Sequence, residues 1–188
     1  MPVKSLDRRA KMTREILKQS LIELMRDKPI HEISIKKICD TADVNRSTFY
    51  HHYDSQYELF NDILNDIGKD ISDMVKRQLS GPDWVKGILT EAFTYIEKHR
   101  ETFLVILSEN SGFGVGETLV SYVECFITPN AGSSNELIEY CTQFATAGMT
   151  SVVWKWLNKE DRMAATDLAN MVAQLISPGI SRFSVLPL

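Results

Sequence analysis

An all-helical fold of about nine helices is predicted by three features of this sequence. Apolar residues recur at intervals of three and four through almost every segment, which is the spacing of one face of an α-helix. No stretch alternates apolar and polar residues over a useful strand length. Pro29, the Gly81-Pro82 pair and Pro129 divide the chain into segments of helical length. At 188 residues the chain can bury a core without disulfides, as one domain or two modest ones.

The chain opens with residues 1–7, which read as a flexible arm. Lys4, Arg8, Arg9, Lys11 and Arg14 make this end basic, either as a solvated face or for contact with phosphates or the minor groove. A first helix follows from about Arg8 to Asp27, with Leu17, Leu21, Leu24 and Met25 on one side, and Pro29 ends it. Ser34 is a natural N-cap for a second helix whose inner face is Ile35, Ile38, Cys39 and Ala42. Thr41-Ala42-Asp43-Val44 breaks the period with residues that tolerate a turn. Asn45 can then cap a third helix that turns Phe49 inward. Arg46, Ser47, Thr48, Tyr50, His51 and His52 remain on its outer side. Two short helices across a tight turn are the arithmetic of a helix-turn-helix, and an arginine with short donors at the start of the second helix suits base edges and phosphates. Leu17, Leu21, Ile38, Val44 and Phe49 are the expected core of this three-helix unit.

A long helix from about Ser55 to Leu79 carries Phe60, Ile63, Leu64, Ile67, Ile71, Met74 and Val75 as a stripe, which predicts burial along its length. After Ser80-Gly81-Pro82-Asp83, helices are expected over Trp84–Lys98 and Glu101–Glu109. The loop from Asn110 to Gly116 is glycine-rich but lacks the lysine, the preceding strand and the glycine order of a phosphate cradle. Leu119, Val120, Val123, Phe126 and Ile127 mark a further helix. Two more run from about Ser134 to Leu157 and from Asp161 to Ser177.

The run Ile38-Cys39, Ala42-Asp43-Val44-Asn45, Ser47-Thr48-Phe49-Tyr50, His52-Tyr53 and Ser55-Gln56-Tyr57-Glu58-Leu59 resembles the DNA-binding domain of TetR/AcrR-type transcriptional regulators. Three positions depart from the family wording: Asp43 for a turn glycine, Ser47 for a glycine beside the bases, and Gln56 for a lysine at the next helix start. The resemblance implies a helix-turn-helix domain over residues 1–54 and a helical effector-binding and dimerisation domain over 55–188. It implies contact with double-stranded operator DNA through Ser34, Lys36, Asn45, Arg46, Ser47, Thr48, Tyr50, His51, His52 and Gln56. The last two helices are similar to the C-terminal part of TetR-type regulators, and also resemble the C-terminal domain of Firmicutes-type members; the first likeness implies a homodimer joined through Phe144, Gly148, Val152, Trp156, Leu168, Met171 and Leu175. A small-molecule effector is implied as well, apolar or neutral, against aromatic side chains such as Phe93, Phe103, Tyr122, Phe126, Tyr140 and Phe144. The expected protein is thus a ligand-responsive repressor, while the three departures leave a helical protein-interaction module as the alternative.

Other classes are poorly supplied. Residues 1–53 hold eleven Lys/Arg and seven Asp/Glu, a net of +4, against ten and eighteen in the remainder, so one basic end on an acidic body is suited to a polyanion. Cys39, Cys125 and Cys141 lie far apart within apolar patterns and read as reduced core residues of a cytoplasmic protein. No apolar run has the length of a signal segment or a membrane span. No nucleophile or metalloenzyme motif is present, so neither an enzyme nor a cofactor is expected. His51 and His52, about 100° apart on a helix, are poorly placed to share an ion.

Overall fold

In the computed structural model, which describes residues 3–78, 83–111 and 136–183, the chain is all-helical among those residues. Helix α1 runs Val3–Met25, so it begins well before Arg8 and takes in most of the residues expected as an arm. Nothing between Val3 and Met25 is Gly or Pro, and Lys, Arg, Leu, Ala and Met are all good helix formers. Leu17, Leu21 and Met25 line its fully buried side. Its end is closed from far along the chain: the Asn110 carboxamide donates to the Met25 carbonyl at 3.1 Å, satisfying an acceptor that the helix itself leaves open.

A short 3-10 turn, Ile30–Glu32, buries Ile30 and leads to α2, Ile35–Ala42. Ser34 caps α2 as expected, its hydroxyl accepting the Lys37 N–H at 3.2 Å, and Ile38, Cys39 and Ala42 face inward. Helix α3 is Arg46–His52. Helix α4, Gln56–Gln78, opens with Ser55 accepting the Glu58 N–H at 3.2 Å while the Glu58 carboxylate accepts the Asp54 N–H at 2.6 Å. These reciprocal bonds are close to a capping box and set where α4 starts.

The chain separates into two compact units, and the division falls inside α4 after Ile67. Leu59, Phe60, Ile63 and Ile67 are buried and complete the core that Leu17, Leu21, Ile38 and Phe49 begin. The first unit therefore reaches past residue 54. Val44, expected in that core, is only half-buried, as are Leu64 and Ile71 of the α4 stripe.

In the second unit, α5 (Trp84–Lys98) is followed by α6 (Arg100–Ile106), α7 (Glu136–Leu157) and α8 (Ala165–Phe183). Helix α5 lies along α8, and α7 meets α6 and α8. The core is Leu89, Phe93, Phe103, Val105, Ile106, Val153, Trp156, Leu157, Leu168, Ala169 and Val172. Buried Ala165, Ala169 and Ala173 recur every four residues on α8, and such small side chains permit close helix pairing. Arg100 donates to the Leu157 carbonyl at 3.0 Å, and the Trp156 indole donates to the Met163 carbonyl at 2.8 Å. Helix α8 does not stop at Ser177: it continues through Pro178, which removes one backbone donor without ending the helix. The helix predicted around Leu119–Ile127 lies outside the described residues.

Candidate nucleic-acid interface

The turn between α2 and α3 is made by Asp43, whose φ of 53° and ψ of 46° are left-handed. Asp reaches this region at modest cost, so it replaces the glycine without altering the turn. The next residue completes the helix end: the Val44 N–H donates to the Cys39 carbonyl at 3.0 Å, the six-to-one bond of a Schellman motif. Asn45 takes the extended backbone of an N-cap, but its side chain makes no capping bond, contrary to expectation. Phe49 is wholly buried, with its ring 5.8 Å from Tyr50 and 5.9 Å from Tyr53. Arg46, Ser47, Tyr50 and His51 are exposed, and Thr48 and His52 are half-buried. Ser34, Lys36 and Asn45 are exposed beside them, and Gln56 is half-buried at the first position of α4. One face of a seven-residue helix is anchored by a single phenyl ring, and the other offers a guanidinium, hydroxyls and imidazoles to solvent.

Behind that helix stands a polar cluster that the sequence does not announce. Tyr53, the residue that closes α3, is buried, and its hydroxyl donates to Asp62 on α4 at 2.7 Å. Arg14 on α1 reaches both Asp62 oxygens at 2.8 Å and the Tyr53 hydroxyl at 3.2 Å. Lys18 pairs with Asp62 at 2.9 Å and also with Asp66. Burial alone would raise the Asp62 carboxyl, but hydrogen bonds from Arg14, Lys18 and Tyr53 outweigh it and hold the group at about 2. Burial lowers Lys18, and its bonds to Asp66 and Asp62 reverse that, for a net rise. Tyr53 is pushed up by burial and by its bond to Asp62. Arg14 thus bonds Asp62 and Tyr53 within the first unit, whereas its place in the basic N-terminal run left a solvated face and phosphate contact both open. Burial, with the charges of His51 and Arg14, lowers His52, which favours its neutral form. The His51 and His52 ring centroids are 5.2 Å apart and nearly perpendicular. Among the described residues no three His, Cys, Asp or Glu side chains are grouped to hold a metal ion.

Two family models cover most of the chain. One, "Transcriptional regulator C-terminal region", matches residues 83–178, and the other, "Bacterial regulatory proteins, tetR family", matches residues 19–63. The chain belongs to the TetR family. Its helix-turn-helix is that family's DNA-binding element, and the family is one of transcriptional regulators. Among curated relatives, the chain is 22% identical over 97 residues to the uncharacterised HTH-type transcriptional regulator YxbF of Bacillus subtilis, covering 49% of this chain and 26% of the relative. It is 35% identical over 63 residues to DhaS of Lactococcus lactis, the HTH-type activator of the dhaKLM operon, covering 33% of this chain and 34% of that one. The chain thus spans about a quarter to a third of these relatives. Solved structures share the fold over nearly the whole chain. A TetR regulator from Streptococcus agalactiae aligns with a TM-score of 0.68 at 18% identity, covering 93% of this chain and 98% of its own. NalD of Pseudomonas aeruginosa, the secondary repressor of a multidrug efflux pump, aligns at 0.61 and 17%, covering 92% and 97%.

Among the described residues of this TetR-family chain, the aromatic side chains expected around an effector are not grouped at one place. Phe93 and Phe103 are core residues, Phe93 tilted against Trp156 with ring centroids 6.1 Å apart and Phe103 edge-on to Tyr95 at 6.0 Å. Tyr140 and Phe144 are exposed, and Tyr122 and Phe126 lie outside the described residues. Helical spacing placed these rings on helix faces without saying what covers each face. An open groove of about 900 Å³ instead lies between the end of α4 and α5, along Met74, Arg77, Trp84, Glu91 and Tyr95. Arg77 pairs with Glu91 there and lowers its carboxyl, and the Tyr95 hydroxyl donates to Asp70 at 2.8 Å. Of the residues expected at a subunit interface, Phe144, Gly148, Met171 and Leu175 are exposed and Val152 is half-buried. Trp156 and Leu168 are not: both are buried within the subunit, at 4% and 3% exposure, with the Trp156 ring against Phe93 of α5.

Proposed function

We propose that this TetR-family regulator is a ligand-responsive repressor that binds a near-palindromic operator as a homodimer. The observation that supports it most is α3: Phe49 is its only buried side chain, and Arg46, Ser47, Tyr50 and His51 form an outward face of groove width. Two such helices related by a two-fold axis would enter major grooves about 34 to 36 Å apart or somewhat more. The exposed Phe144, Met171 and Leu175 on α7 and α8 supply an apolar surface for the second subunit. An effector held by the body would act through α4, whose residues belong to both units, and would shift the population away from the spacing that fits both half-sites.

Repression is favoured by the likeness to NalD and opposed by the likeness to DhaS, an activator. The interaction-module alternative loses ground because Asp43 keeps the turn and Ser47 remains on the open face. The deciding experiment is retention of genomic fragments by the purified protein, followed by titration of the best fragment at several salt concentrations. Arg46→Ala with Tyr50→Ala should abolish specific retention while sedimentation still shows a dimer. Equal retention by wild type and the double variant would sink the proposal.

A further inference from the structure

We propose that Asp62 is a positioning residue for DNA binding: it fixes the pose of α3 by tying Tyr53 at the end of that helix to Arg14 of α1. The proposal rests on α3 being the helix that enters the groove. A helix of seven residues has little stability of its own, and only Phe49 anchors it by packing. One ring can locate a helix but leaves rotation about that ring open. The second point of attachment is Tyr53, buried at 4% exposure, whose extended backbone leaves α3 and whose N–H still bonds the Phe49 carbonyl at 2.9 Å.

The Tyr53 hydroxyl both donates and accepts, donating to Asp62 at 2.7 Å and accepting from Arg14 at 3.2 Å. Asp62 therefore joins three elements at one carboxylate: α1 through Arg14 and Lys18, the end of α3 through its capping residue Tyr53, and its own α4. Charge-assisted bonds of this kind are directional, so they restrict the angle of α3 where apolar packing would not. Rotating α3 about Phe49 separates Tyr53 from Asp62 and turns Arg46 and Tyr50 off the groove.

The test measures affinity for the genomic fragment best retained by wild type and, in parallel, for a random duplex of equal length. All proteins are held well below their melting temperatures, with helicity and sedimentation confirming folded protein. Tyr53→Phe keeps the ring and removes only the hydroxyl; Asp62→Asn removes the charge, and Asp62→Glu restores it. Tyr53→Phe and Asp62→Asn should weaken specific binding by about tenfold, the scale of a lost charge-assisted bond. Random duplex binding should stay within about twofold, because the phosphate contacts persist. Asp62→Glu should recover part of the loss. A purely structural role predicts lower melting temperatures with unchanged affinity of the folded protein, and that result overturns the proposal. If Asp62→Asn does not fold, Tyr53→Phe decides alone. Arg46→Ala separates the two levels: if it binds like wild type, the α3 reading fails and this proposal with it. If it loses specific binding while Tyr53→Phe and Asp62→Asn retain it, only the positioning role fails.

Discussion

Asp43 holds a left-handed backbone that a β-branched residue could enter only with strain. Asp43→Gly should stabilise the chain by about 0.5–1 kcal/mol, and Asp43→Val should destabilise it by about 1–2 kcal/mol, in urea unfolding. Asp62 makes a prediction in pH. Its carboxyl sits at about 2 in the fold against an ordinary 3.8, so the folded state favours the carboxylate. That contribution, on the order of 1–2 kcal/mol after allowance for solvent at its rim, is complete above about pH 5 and is lost as pH falls toward 2. Acid titrations of wild type and Asp62→Asn should therefore converge at low pH and diverge near neutrality. Nothing in the sequence marked Asp62, because its partner Arg14 is 48 residues away and an acidic residue on a long helix ordinarily faces solvent.

The α2–turn–α3 element is where local sequence and structure agree best. Ser34, Asp43 and Phe49 each act through neighbours a few residues away, so the cap, the turn and the inward face could be read before any packing was known. Ser34→Ala should cost about 1 kcal/mol through loss of the bond to the Lys37 N–H. Phe49→Ala should cost about 3–5 kcal/mol, since the ring is wholly enclosed, and should abolish DNA retention with it. Element ends were less legible. Helix α1 begins at Val3 and α8 passes Pro178, in each case because the residues there can join a helix that its neighbours already support. Asn45 has the right backbone for a cap and lacks the bond, so residue type alone overstated its role.

At the scale of the molecule, the residues expected between subunits separate into two groups with different predicted behaviour. Phe144 and Leu175 are 82% and 73% exposed, and Phe144→Asp with Leu175→Asp should leave the subunit folded while splitting the proposed dimer in sedimentation. Operator affinity should then fall steeply, because each half-site would bind alone. Leu168→Ala should instead lower the melting temperature, at a cost of about 2–5 kcal/mol, since Leu168 is packed inside one subunit. No described helix is long and apolar enough to cross a membrane.

Sequence by itself determined the helical class, the helix-turn-helix and the inward Phe49, because helical period, capping and turn chemistry act over a few residues. Tertiary structure alone decided that Trp156 and Leu168 are core while Phe144 and Leu175 are surface, and that Arg14 serves Asp62 and Tyr53. Periodicity shows that a helix has an apolar face. What covers that face, or which distant charge answers a buried one, depends on how helices far apart in the chain come together.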